Sequence, residues 1–136
     1  MTFVISLTFR LTMNIYREAI LDHYHQPKNW GRLKNYDLKA KADNPLCGDI
    51  LTVYLKLDAQ KKIKEIKFCG AGCAIAIASA SMLSEKLIGQ PQSAIKKMSE
   101  IDISGLLKIK LSPIRLKCAM LGLLAMKKCV ELNANP

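Results

Sequence analysis

Between Ile50 and Phe68 the chain alternates apolar and polar residues with a period of two, and no other stretch constrains the fold as strongly. Leu51, Val53, Leu55 and Leu57 fall on one face of a strand over 50–57, with Thr52, Tyr54 and Lys56 on the other. Asp58-Ala59-Gln60-Lys61 reads as a turn. Lys62 to Phe68 reads as the returning strand, with Ile66 and Phe68 on one face. Two such runs joined by so short a link make an antiparallel hairpin.

The flanking elements are mostly helical. Asn14 to about Gln26 predicts a helix capped by Asn14, with Ile15, Tyr16, Ala19, Ile20 and Tyr24 at helical spacing and Pro27 as its stop. Tyr36 to Ala42 predicts a short strand, broken by Asp43-Asn44-Pro45. Gly70-Ala71-Gly72 opens a helix from about Cys73 to Leu87, closed by Gly89 and Pro91. A shorter helix follows over about Gln92 to Ser99. Ser112-Pro113 starts a last helix running to about Asn133, with serine as N-cap and proline at the first helical position. Three strands followed by helices predict an α+β fold, a three-stranded antiparallel sheet packed against helices on one face.

Residues 1–13 stand apart, with apolar residues alternating at Ile5, Leu7, Phe9, Leu11 and Met13. A signal peptide needs a charged start and a small-residue cleavage site, and the segment shows neither clearly. It reads as an N-terminal extension: an added strand, a disordered arm, or translation from an upstream start codon with Met13 as the biological start. Residues 14–136 read as one domain, a size that suits a single core.

Half of the residues are hydrophobic and 24% are charged, the balance of a folded domain rather than a disordered chain. The longest apolar run, Ala119 to Met126, falls short of the roughly 18–20 residues that span a bilayer. The net charge is +10, but the lysines are dispersed in small clusters such as 61–64, 96–97 and 127–128. A nucleic-acid surface gathers its cations into one stripe with aromatics interleaved, and aromatics are only 6% of this chain. The charge reads as solvated lysines, and no nucleic-acid or membrane partner is expected.

The five cysteines are an odd number, which argues against a disulfide framework and for reduced thiols in a cytoplasmic protein. Cys47-Gly48-Asp49 occupies the turn before the best strand, where Gly48 lets both flanking side chains converge. Cys73 opens a helix, where the dipole favours thiolate. Cys118 lies next to Lys117 and near Arg115, whose charges are expected to lower its pKa. Three thiolates and a carboxylate suit zinc, and thiolates also suit iron–sulfur clusters. The spacing is not that of paired C-x-x-C motifs, so scattered core thiols fit it equally. Cys69 reads as a satellite or core thiol. Cys129 lies about 16 Å beyond Cys118 along one helix at roughly 1.5 Å per residue, and reads as a packing residue. His23 and His25 point to different helix faces, and Asp22 reads as solvated.

Asn44-Pro45-Leu46-Cys47-Gly48-Asp49, Gly70-Ala71-Gly72-Cys73-Ala74-Ile75 with Ala78-Ser79-Ala80-Ser81-Met82, and Pro113-Ile114-Arg115-Leu116-Lys117-Cys118-Ala119 resemble, in order, three signature blocks of the NifU/IscU/SufU scaffold family. Ile15-Tyr16-Arg17 and Asp22-His23-Tyr24 through Pro27, Asn29 and Gly31 resemble its first helix and turn. The resemblance implies a SufE/NifU-like fold with the cysteines at one exposed end. It implies that Cys47, Asp49, Cys73 and Cys118 hold zinc or a transient iron–sulfur cluster, with Cys47 or Cys118 as persulfide acceptor. It further implies a pyridoxal-phosphate cysteine desulfurase as sulfur donor, and iron–sulfur carriers or apo-proteins as acceptors. Such a protein is a scaffold rather than an enzyme, at most a sulfurtransferase. Lys117 stands where IscU-like members carry histidine, as in SufU-like members, while the 45-residue interval from Cys73 to Cys118 is IscU-like. A zinc-dependent sulfur relay without cluster building, and a purely structural zinc module, are the alternatives. Intact-mass measurement of the native protein is expected to place its start at Met13; a mass beginning at Met1 would overturn that.

Overall fold

The computed structural model describes residues 2–134, with side chains described over 14–133. The elements run α1 (Thr2–His25), β1 (Leu38–Asn44), β2 (Asp49–Leu57), β3 (Ile63–Ala71), α2 (Ala74–Leu87), α3 (Gln92–Lys97), α4 (Glu100–Leu107), α5 (Pro113–Ala119) and α6 (Leu121–Ala134). The three strands form one antiparallel sheet in the order β1-β2-β3. This is the α+β architecture expected from the order of elements.

The inward face of the hairpin follows the period-two pattern. Leu51, Val53, Leu55, Ile66 and Phe68 are fully buried. They pack against α6 and α2, which cover one side of the sheet. The other face carries Lys39, Lys41, Thr52, Lys56, Lys67 and Cys69, all exposed or half-buried. Tyr54 points outward in register with them and yet is buried, because Tyr36 meets its ring edge-on at 5.4 Å and the Lys39 ammonium lies 5.4 Å from its centroid.

Several boundaries differ from the sequence reading. Asn14 sits inside α1 rather than capping it: no proline or glycine interrupts residues 2–26, so nothing stops the helix there. Of the segment 1–13, the backbone from Thr2 onward belongs to α1, and its side chains lie outside the described residues. The first strand falls two residues later than expected and runs through Asn44. The helix α4 was missed, although it carries its own start signal. The Asp102 carboxylate accepts from the Ser99 backbone N–H at 2.8 Å, and Lys108 in the left-handed region ends the helix. The expected single last helix is two, α5 and α6, meeting at Met120.

The sheet's cover depends on small residues. A Cβ built on Gly122 of α6 would lie 2.9 Å from the Ala80 Cβ and 3.2 Å from its Cα, so α2 and α6 approach almost backbone to backbone. Ala80, one of the buried small residues of α2, makes this contact possible. Gly122→Val is expected to force the helices apart and cost about 2 kcal/mol, read as a lower urea midpoint. A cost under about 0.5 kcal/mol would mean that the interface yields more than this packing allows.

Candidate functional site

The loop between β1 and β2 is closed by the last rung of the ladder, Asn44 opposite Asp49. The Asn44 carbonyl accepts from the N–H groups of Cys47 at 3.1 Å and Gly48 at 2.8 Å, and its side-chain Oδ1 accepts from the Leu46 N–H at 3.2 Å. Gly48 takes φ +73°, which a side chain would strain. This tight turn presents Cys47 outward and leaves Leu46 72% exposed at its tip.

Cys73 is the N-cap of α2 and makes no side-chain capping bond. The chain reaches it through Gly70, where a Cβ would lie 2.1 Å from the Ile50 carbonyl oxygen; only glycine lets β3 end so close to β2. Cys118 lies in the last turn of α5. That helix starts on the Ser112 side chain, which accepts from the Arg115 N–H at 3.3 Å, and Pro113 occupies its first turn. Its far end is tied to α2 by the Ser79 hydroxyl, which donates to the Ala119 carbonyl at 2.7 Å.

These anchors bring together residues from distant parts of the chain. The Cys47 and Cys118 Sγ atoms stand 3.1 Å apart, well beyond the roughly 2.05 Å of a disulfide. Asn44 Nδ2 approaches both sulfurs, at 3.4 Å and 3.9 Å. One ligand atom each from Cys47, Asp49 and Cys118 lies within 4.8 Å of the others. Cys73 falls outside that tight group but lines the same cavity as Cys118. Asp49 is 7% exposed, and its Oδ2 is buried without a hydrogen-bond partner. A carboxylate oxygen orphaned beside two thiols is costly unless something cationic fills the gap. The donor set of soft sulfurs and one oxygen fits a thiophilic metal.

Cys118 departs from the sequence reading. It is buried rather than exposed, and burial, followed by its hydrogen bond with Cys47 and by the neighbouring Cys73, pushes its thiol from 9.0 up to about 12. The cations beside it in sequence do not reverse this: Lys117 is exposed and faces a separate recess lined by Asp43 and Glu100.

The remaining candidates lie elsewhere. Cys69 is on the outer face of the sheet opposite Thr52. Cys129 is fully buried under β2, with its thiol 3.7 Å from the Val53 carbonyl. His23 binds Ser81 Oγ at 2.7 Å and stands 3.6 Å from Glu85, while His25 and Asp22 are exposed. Two features escaped the sequence reading. Asn44 touches both thiols, and its place beside Pro45 was the available signal. Arg17 and Lys110 share the Cys73–Cys118 cavity, and nothing local in the sequence connects them.

A one-sided α+β sheet with free cysteines drawn together from a loop between strands, a helix N-cap and a short helix defines a domain with a clustered-cysteine end rather than a disulfide-stapled one. The chain belongs to the NifU-like N terminal domain family, whose model matches residues 15–133. It is 35% identical over 133 residues to the zinc-dependent sulfurtransferase SufU of Bacillus subtilis, covering 85% of this chain and 89% of that one. It is 34% identical to the iron–sulfur cluster assembly enzyme IscU of Drosophila melanogaster, over 79% of this chain and 71% of that one. The IscU scaffold protein of Streptococcus pyogenes is 30% identical, over 90% and 86%. Among solved structures, a protein of Fervidobacterium islandicum described as an iron–sulfur cluster assembly scaffold for the SUF system superposes with a TM-score of 0.71 at 28% identity, over 83% of this chain and 94% of that one. The N-terminal part of a NifU-like protein from Brucella abortus shares the fold, with a TM-score of 0.71 at 21% identity.

The Cys129 thiol, pushed up to about 12 by burial, sets a pH dependence away from the site. The unfolded chain ionises first as pH passes about 9, so this group's contribution is fully present below pH 9 and is lost as pH rises toward 12. The stability advantage of the wild type over Cys129→Ala is therefore expected to shrink between pH 9 and 11 in chemical unfolding. An advantage constant across that range would contradict a buried neutral thiol.

Proposed function

We propose that this protein is an iron–sulfur cluster assembly scaffold that accepts persulfide sulfur from a cysteine desulfurase and holds iron, a nascent cluster or zinc on Cys47, Asp49, Cys73 and Cys118. The observation that carries the reading is the buried, partnerless Asp49 Oδ2 beside the Cys47–Cys118 sulfur pair. A bound metal supplies the positive charge that keeps the thiols ionised; Cys118 in particular resists ionisation without one. Of the four donors, only the carboxylate is not a thiolate, which suits a site that must release its cargo.

Cys47 and Cys118 are the candidate sulfur acceptors. A freed thiolate attacks the outer sulfur of the donor's persulfide, a new sulfur–sulfur bond forms on this chain, and the donor leaves as a thiolate with no net oxidation. Cys47 is the more accessible of the two, on an exposed loop beside Leu46. Leu46 at 72% and Ile114 at 64% exposure flank the thiols and supply apolar anchors for a docked donor protein. Sulfur then passes to carrier or apo-protein acceptors, and the setting for this chemistry is the cytoplasm. No helix of the described residues is long and apolar enough to cross a membrane.

A zinc-dependent relay is the second reading. It is favoured by Lys117, which puts no histidine before the third cysteine, and by the similarity to SufU. Metal and acid-labile sulfide, measured after anaerobic incubation with a cysteine desulfurase, cysteine and ferrous iron, separate the two. Near-equal iron and sulfide, lost in Cys118→Ser and weakened in Asp49→Ala, is the outcome expected of a scaffold. Tightly held zinc with desulfurase stimulation and no sulfide makes it a relay. Neither metal nor sulfur sinks the cysteine assignment.

A further inference from the structure

Behind the thiols lies a cavity of about 610 Å³, within the size range of small-molecule sites. α1 contributes Arg17 and α5 contributes Arg115, while Lys110 comes from the segment between α4 and α5. Cys73 and Cys118 line it as well. Ala74 and Ile75, the first turn of α2, also line it, and Cys73 leaves that helix end without a side-chain cap. None of the described lining residues is acidic, and the Asp49 carboxylate near Cys118 is buried and not among them. Three cations, an open helix N-terminus and two thiols thus face one recess. Each of the first two favours an anion, and together they do so beside two cysteines of the proposed site.

We propose that this cavity is a binding subsite for a small carboxylate-bearing thiol, which takes sulfur from a persulfide held on Cys118. The binding stands on the cavity alone, whereas the transfer rests on the sulfur-accepting function proposed above. The carboxylate lies against Arg17, Lys110 and Arg115, leaving the ligand's sulfur directed at the cysteines. In the transfer step the ligand's thiolate attacks the outer sulfur of the protein persulfide. The ligand–sulfur bond forms, the bond to the cysteine Sγ breaks, and that cysteine leaves as a thiolate. The outer sulfur keeps its proton, and nothing is oxidised or reduced overall. The recess is sized and charged for a small anion, so sulfur leaves by this route without a second protein docking.

The charge preference is tested on metal-free reduced protein with three aliphatic disulfides: dianionic dithiodipropionate, neutral hydroxyethyl disulfide and dicationic cystamine. Rates are normalised to a neutral model thiol, and the adducts are mapped to Cys73 and Cys118 by peptide mass. The anionic disulfide is expected to react about tenfold faster than the cationic one, the effect of two or three unit charges at a watery mouth. Arg17 and Lys110 are both exposed, so Arg17→Gln/Lys110→Gln should fold normally. That double variant is expected to lower the ratio at least about threefold, as should molar salt. A ratio near one, a cationic preference, or a ratio unchanged in the double variant overturns the subsite. In a second arm, desulfurase-loaded protein is discharged with mercaptopropionate or mercaptoethanol. Faster discharge by the anion in the wild type, abolished in the double variant, supports the transfer step; equal discharge overturns it. A protein that never loads sulfur defeats the function proposed above, while the disulfide arm still decides the subsite.

Discussion

A three-stranded sheet has one face to bury and little area with which to do it, so everything else in this domain is arranged around covering that face. The cover is α6 and α2, and their closeness depends on Gly122 meeting Ala80 with almost no side chain between them. That contact lets two helices lie side by side under three short strands. It fixes where α2 begins, and so where Cys73 stands. It also fixes where α6 begins, and so where the preceding α5 brings Cys118. The site is therefore a by-product of core packing: its residues lie at the ends of elements whose bodies are locked elsewhere.

The hairpin was legible because its alternation is an inherently local signal, and each side chain reports its own face. The N-cap position of Cys73 was legible for the same reason, since a glycine-rich turn ahead of an alanine-rich run marks a helix start. The helix α4 was signalled by Ser99 and Asp102 but concealed by its short apolar content. The break at Met120 is a single residue that keeps helical φ and ψ, with Gly122 two positions on, so the sequence carried little to mark it. The bond from Ser79 to the Ala119 carbonyl beside it is contributed from 40 positions away.

The candidate site shows the same division. The signature blocks identified which residues to compare, but not how they would meet. Lys117 and Arg115 suggested an acidified Cys118, whereas the fold buries the thiol and turns Lys117 toward another recess. Charge read along the chain failed there because electrostatics acts through space, and desolvation outweighs a solvated neighbour. The orphaned oxygen of Asp49 is likewise invisible in sequence, since it depends on what the last rung of the ladder leaves unpaired.

Cys47, Cys73 and Cys118 belong to three segments that an unfolded chain holds tens of residues apart, and α5, which carries the last of them, is only seven residues long. Such a helix has almost no persistence of its own and exists only while both ends are fastened. The sulfur atoms can thus come together only after the hairpin, α2 and α6 have already assembled. The meeting of the three thiols is thus a gauge of the whole molecule's integrity, because each stands on an element whose position the core sets.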